Sequence, residues 1–181
     1  TILHCGGALV TGPAGVGKSF LLNDLRDELV RRGETVHVCA YTHAAARLVG
    51  GVTVAHLLKL DVKLHNSWII IDEISLCPID TLGQLARIHL ARAKFVLFGD
   101  FEGQFEPMKD RWDAKYSVVP ESTMLRDMCS HLHIHLSEYM RGTDRDLFKS
   151  YHGLYNTKDT LQESIDEARV AYPVRALSPF D

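Results

Sequence analysis

The chain has 181 residues and a mass of 20.3 kDa, enough for one well-cored domain and hardly enough for two. Apolar residues make up 46% and charged residues 24%, a globular balance that excludes disorder as the chain's main character. Lys and Arg total 20 against 23 Asp and Glu, so the formal charge is −3; this excludes nucleic-acid binding by bulk positive charge, though not by a local basic groove.

No apolar run approaches the roughly 20 residues of a membrane helix. The first seven residues lack the charged and apolar regions of a secretory signal. Both readings point to an intracellular setting, cytoplasm or nucleus, with no membrane partner. Cys5, Cys39, Cys77 and Cys129 form no Cys-x-x-Cys pair and read as buried free thiols.

In chain order, residues 8–11 read as a buried strand feeding a Gly-rich turn. Residues 18–32 read as a helix, with Leu22, Leu25 and Leu29 on one face and Gly33 as the stop. Alternation over 35–41 predicts a strand with Val36, Val38 and Ala40 inward. Short helices are predicted over 44–49 and 54–60, around the Gly50-Gly51 turn. The Ile-rich run 68–71 is too short for a helix and reads as a buried strand. Residues 78–91 form a predicted helix that opens on Pro78. Strands are predicted over 95–98 and 131–136, and an acidic amphipathic helix over 159–171. Continuous apolar strands alternating with helices predict an α/β fold, a parallel sheet with helices on both faces. Its chemistry belongs at the carboxyl ends of the strands.

Two motifs fall at such ends. Gly12-Pro13-Ala14-Gly15-Val16-Gly17-Lys18-Ser19 fits G-x-x-x-x-G-K-[ST] in full, between a strand and a helix. The glycines let backbone N–H groups turn toward a phosphate, and the helix N-terminus adds its partial positive charge. Lys18 is suited to the β- and γ-phosphates and the Ser19 hydroxyl to Mg²⁺; Phe20 comes next in the same loop. This predicts a P-loop NTPase site for ATP and Mg²⁺. Asp72-Glu73 ends the strand 68–71, where Asp72 suits the metal's water shell and Glu73 the attacking water. The plainer alternative is that the acidic pair caps the helix after Pro78.

With Tyr41-Thr42-His43-Ala-Ala-Ala-Arg47, Gly51-Val-Thr53-Val-Ala-His56, Ile71-Asp-Glu-Ile-Ser75 and Gly99-Asp-Phe…Gln104 coming next in order, the chain resembles superfamily 1B DNA helicases of the PIF and RecD type. The resemblance runs from Ala8 to about Tyr151 and includes families carried by large DNA viruses and mobile elements. It implies a RecA-like motor domain driven by ATP hydrolysis, 5′ to 3′ on single-stranded DNA. It further implies DNA contacts at Thr42, His43, Thr53 and His56, and γ-phosphate contacts at Gln104 and Arg141 beside Lys18 and Glu73. Without the resemblance, Thr42 reads as a helix cap, His56 as a packing residue, residues 99–103 as a turn and Arg141 as a surface side chain. An RNA helicase domain, or a nucleotide-binding interaction module without motor activity, stands as the alternative.

The sequence departs from the family pattern in four places. One additional residue precedes Gln104, and Glu106 replaces a proline. No Gln stands before Ala8 to read adenine. Only residues 57–67 occupy the place of the family's wedge subdomain. In the family a second RecA-like domain follows the first, and such a domain, in the same or another chain, is expected as a partner here. Residues 1–181 thus read as a single motor domain, with an extension from about residue 152 to residue 181. Of the remaining features, His131, His133 and His135 alternate as on one strand face, and a metal site there is the less favoured reading. Phe101, Phe105 and Trp112 suit either base stacking or the core.

Overall fold

The computed structural model describes residues 2–59, 64–90, 92–101, 116–140 and 142. The chain divides into two compact units, Thr1–Arg141 and Gly142–Asp181, and the sheet with its helices belongs to the first. Gln104, Arg141, Phe105, Trp112, the helix expected over 159–171 and the extension from about residue 152 lie outside the described residues.

Six strands assemble into one sheet: β1 Ala8–Thr11, β2 Val36–Ala40, β3 Val52–Thr53, β4 Trp68–Asp72, β5 Lys94–Gly99 and β6 His133–His135. Their order across the sheet is β3-β2-β4-β5-β1-β6, and every pairing is parallel. The four residues of β1 are all buried, as are the five of β4, so both faces of these strands must be covered. That is why they read as apolar runs and not as alternating ones.

Side-chain alternation along the strands sorts the core into two halves. Ala8, Val10, Ile70, Val96 and Phe98 face α1 Ile2–Cys5, α2 Lys18–Arg31 and α3 His43–Leu48, meeting Ile2, Leu22, Leu25, Leu29, Ala45 and Ala46. Leu9, Ile69, Ile71, Phe95 and Leu97 face α4 Val54–Leu57, α5 Ile79–Leu90 and α6 Thr123–Met128, meeting Leu57, Leu82, Leu85, Leu125 and Met128. Burying each Val, Leu, Ile, Phe or Met among them contributes about 1.5–3 kcal/mol relative to leaving it exposed.

The register decides where the motifs fall. Thr11 pairs with Gly99, and Ala40 pairs with Asp72, so β1, β5, β4 and β2 end level with one another. β5 lies between β1 and β4, which sets the two motif-bearing strands about 9–10 Å apart, two strand spacings. This placement of β5 is the fold's main contribution to the site.

The strand expected over 131–136 is shorter at both ends, covering His133–His135. His131 adopts φ +58° and Ser130 φ +51°, so a left-handed turn precedes β6 and takes His131 out of the pleat. Three thiols, at Cys39, Cys77 and Cys129, are buried and form no disulfide, as expected, whereas Cys5, also outside any disulfide, is exposed.

Candidate nucleotide site

The phosphate loop leaves β1 through Gly12 and returns the chain to α2 through Gly17. Gly15 and Gly17 take φ +88° and +90°, a region that side-chain-bearing residues enter at a cost of about 1–2 kcal/mol each. Gly17 precedes the helix with no side chain to cap it, so the first amides of α2 keep their hydrogen-bonding capacity for an anion. Pro13 and Val16 are buried, Ala14, Ser19 and Phe20 are exposed, and the Phe20 ring is 80% accessible. Lys18 Nζ donates to the Gly12 carbonyl at 2.5 Å and to the Pro13 carbonyl at 2.8 Å. The ammonium thus lies folded over the mouth of the loop, where a phosphate would be received.

At the end of β4 the Asp72 carboxylate is buried, and burial pushes its pKa up. The Glu73 N–H, which donates to Asp72 Oδ1 at 2.9 Å, and the Lys18 charge oppose that shift. Glu73 itself stands at φ +54°, ψ +38°, a left-handed conformation that costs a glutamate about 1 kcal/mol or more. The strained residue opens a 3-10 turn, Ile74–Leu76, that swings the chain off the sheet. Neither acid caps α5, which starts at Ile79. Ser75 is buried, and its hydroxyl accepts from the Asp100 N–H at 3.3 Å, tying the end of β4 to that of β5.

The next two strand ends carry the threonines. Thr42 caps α3, its Oγ1 accepting from the Ala45 N–H at 3.1 Å, and Thr53 caps α4 by accepting from the His56 N–H at 3.2 Å. Their neighbours His43 and His56 are exposed. Thr42 does more than cap. Its hydroxyl donates to Glu73 Oε2 at 3.1 Å, joining two residues 31 positions apart.

On the other side of the loop, the Leu136 N–H donates to the Thr11 carbonyl, and the Met140 N–H donates to the Gly15 carbonyl at 2.9 Å. The segment after β6 therefore runs along the phosphate loop up to the residue before Arg141. His133 Nε2 and His135 Nδ1 both hydrogen-bond Thr11 Oγ1, at 2.8 and 3.1 Å. Among the described residues no three His, Cys, Asp or Glu side chains converge to suit a metal ion. An oxygen donor set of the Ser19 hydroxyl and the Asp72 carboxylate is of the hard kind that Mg²⁺ takes.

The structure gathers the phosphate-loop residues, Asp72, Glu73 and Thr42 along one edge of the sheet. Thr53 and His56 sit at the end of β3 on the same edge, next to β2. Two participants carry no readable signal in the sequence: Met140, which acts through its backbone, and the pairing of Thr42 with Glu73, which is non-local.

Comparison with known proteins agrees with this geometry. A protein-family profile described as an AAA domain matches residues 2–170. The chain belongs to the AAA-domain family. No curated protein sequence matches it. Among solved structures, this AAA domain is similar to the Pif1 helicase of Candida albicans, with a TM-score of 0.73 and 24% identity over 98% of this chain and 47% of that one. It is similar also to Bacteroides Pif1 bound to single-stranded DNA, with a TM-score of 0.68 and 21% identity over 97% and 48% of the two chains. The Bacteroides Pif1 complex with ADP-AlF3 and single-stranded DNA aligns with a TM-score of 0.68 and 20% identity, over 96% and 48%. The AAA domain thus has the RecA-like P-loop fold found in these proteins, and spans about half the length of each.

Proposed function

We propose that the chain is the ATP-hydrolysing motor domain of a 5′ to 3′ superfamily 1 DNA helicase. The observation that carries this reading is the placement of the two motifs at strand ends on one side of the sheet. Lys18 and the loop amides stand on β1, Asp72 and Glu73 stand on β4, and the width of one intervening strand separates them. Lys18 and the N–H groups of the loop from Gly12 to Phe20, Pro13 excepted because it has none, bind the ATP phosphates, and Lys18 leaves the loop carbonyls to do so. Ser19 and Asp72 hold Mg²⁺, which when bound neutralises charge on the β- and γ-phosphates. Glu73 accepts a hydrogen bond from the water that attacks the γ-phosphate, orienting it in line. Gln104 and Arg141 serve the γ-phosphate as further contacts.

Thr42, His43, Thr53 and His56 form the face for single-stranded DNA, at the strand ends next to the crevice. The similar Bacteroides proteins bound to single-stranded DNA and to ADP-AlF3 support both ligands. Contacts by hydroxyls and a few histidines need no basic surface, which agrees with a net charge of −3. A second RecA-like domain, in the same or another chain, completes the motor. The test is Mg²⁺-dependent phosphate release from ATP, measured alone, with oligodeoxythymidine and with oligouridine. DNA should stimulate release about tenfold or more and RNA far less. Stimulation by RNA and not DNA would overturn the DNA reading, and no ATP turnover under any condition would overturn the motor reading.

A further inference from the structure

We infer that His133 and His135 are positioning residues of the phosphate loop: they clasp the Thr11 hydroxyl between them and place a proton-dependent charge beside Gly12, so that nucleotide binding takes up a proton. The inference rests on the nucleotide-site reading and adds to it a dependence on pH. Thr11 is the last residue of β1 and is joined directly to Gly12, the first residue of the loop. It is buried, so its hydroxyl needs hydrogen-bond partners within the protein. His133 Nε2 at 2.8 Å and His135 Nδ1 at 3.1 Å supply them from β6. The backbone repeats the tie, through the Leu136 N–H to the Thr11 carbonyl and the Met140 N–H to the Gly15 carbonyl. The entrance to the loop is thus held by β6 and the segment after it.

A threonine hydroxyl carries one proton, so at most one of the two rings accepts from it and at least one ring donates an N–H to it. A neutral ring that donates keeps its lone pair on the other nitrogen, and a proton taken up there leaves the bond to Thr11 in place. The clasp can therefore gain one positive charge without opening, whereas a second would set two charged rings on one hydroxyl. Burial, and then the charge of His135, hold His133 below its ordinary value of 6.5, so the pair titrates as a unit that favours a single charge. Thr11, Gly12 and both rings line one cavity of about 300 Å³, which Asp100 at the end of β5 and Glu121 of the 3-10 helix Tyr116–Glu121 also line. His133 borders a second cavity with Arg126 of α6 and with His131, whose Nε2 lies 3.3 Å from Asp127. The Asp100 and Glu121 carboxylates favour the charged pair, and Arg126 and a charged His131 oppose it. A phosphate received at the loop adds negative charge beside Gly12 and favours the charged pair further. The coupling is reciprocal: the proton strengthens nucleotide binding by the factor by which nucleotide strengthens proton binding.

The test is ADP binding across pH. Glutamine sets an amide where His133 has Nε2, and asparagine sets one where His135 has Nδ1. The double variant His133→Gln, His135→Asn therefore keeps polar atoms for Thr11 and loses the titration. Calorimetric ADP affinity should rise about threefold more in the parent than in the double variant between about pH 8 and about pH 5.5. In two buffers of different ionisation enthalpy at about pH 6.5, the parent should take up more protons per ADP bound than the double variant does. A clasp with a structural role alone would shift the affinity by one factor at every pH. If the double variant does not fold, His135→Asn alone should show a smaller rise than the parent. An affinity that follows the same pH course in parent and variant would overturn the inference and leave the nucleotide reading standing. A parent that binds no ADP at any pH would overturn both.

Discussion

The α-carbon of Gly12 faces the Leu136 carbonyl so closely that a Cβ there would lie 2.2 Å from the carbonyl oxygen. Gly12 also takes φ +150°, and Val16 Cγ2 closes the space from the other side at 3.0 Å. The first glycine of the loop is thus the point at which β6 and the phosphate loop are pressed together. Gly12→Ala is expected to lower the unfolding free energy by about 2 kcal/mol, because the loop or the edge strand must move. The same change should abolish the thermal stabilisation given by ADP. Urea titration and melting curves with and without nucleotide measure both effects.

Lys18 donates to two main-chain carbonyls of the loop, Gly12 O and Pro13 O. Removing it deletes the cation for the phosphates while leaving carbonyls that accept from water instead. Lys18→Ala should change the stability of the free protein by no more than about 1 kcal/mol. It should weaken ADP and ATP binding at least about tenfold. Calorimetric titration with ADP, paired with a urea melt of the free protein, separates the two.

The edge strand carries a pH dependence of definite sign. Burial, and then the neighbouring charge of His135, lower the pKa of His133 below its ordinary value of 6.5. The fold therefore favours the neutral ring, while the unfolded chain takes up a proton as the pH falls through 6.5. The contribution of His133 is intact above that pH and is lost as the pH falls from 6.5 through the lowered folded value. His133→Gln should flatten the fall in melting temperature between about pH 7.5 and about pH 5 relative to the parent. A parallel fall in both proteins would contradict the assignment.

Thr53 serves α4 as Thr42 serves α3, but its hydroxyl is buried at the sheet edge. Thr53→Val keeps the shape and removes the cap oxygen, so the expected cost is about 1 kcal/mol, and Thr53→Ser should recover most of it. If Thr53 also meets the DNA backbone, the same pair of variants should shift oligodeoxythymidine affinity in step. Equilibrium unfolding and fluorescence anisotropy report the two effects independently.

What can be read in the sequence is what the chain writes locally. The strand before Gly12, the loop to Ser19, the helix with Leu22, Leu25 and Leu29 inward, and Asp72-Glu73 at a strand end all arise from residues within one element of each other. The position of β5 between β1 and β4 is not readable, because sheet order is set by long-range pairing and not by spacing. For the same reason Thr42 reads as a cap alone. Its bond to Glu73 joins two strand ends that only the β2–β4 register brings side by side. The elements α1 and α6 are four and six residues long, too short to show a helical period, although Ser122 caps α6 by accepting from the Leu125 N–H. The turn that removes His131 from β6 depends on two left-handed residues, Ser130 and His131, neither of which is glycine.

Orientation of the attacking water by Glu73 is the step on which the motor reading stands most directly. The deciding measurement is ATP affinity and phosphate release by Glu73→Gln beside the parent, both with Mg²⁺ and oligodeoxythymidine present. The geometry predicts ATP affinity within about threefold of the parent and turnover reduced about a hundredfold or more. A Glu73→Gln protein that hydrolyses ATP at the parent's rate would contradict it.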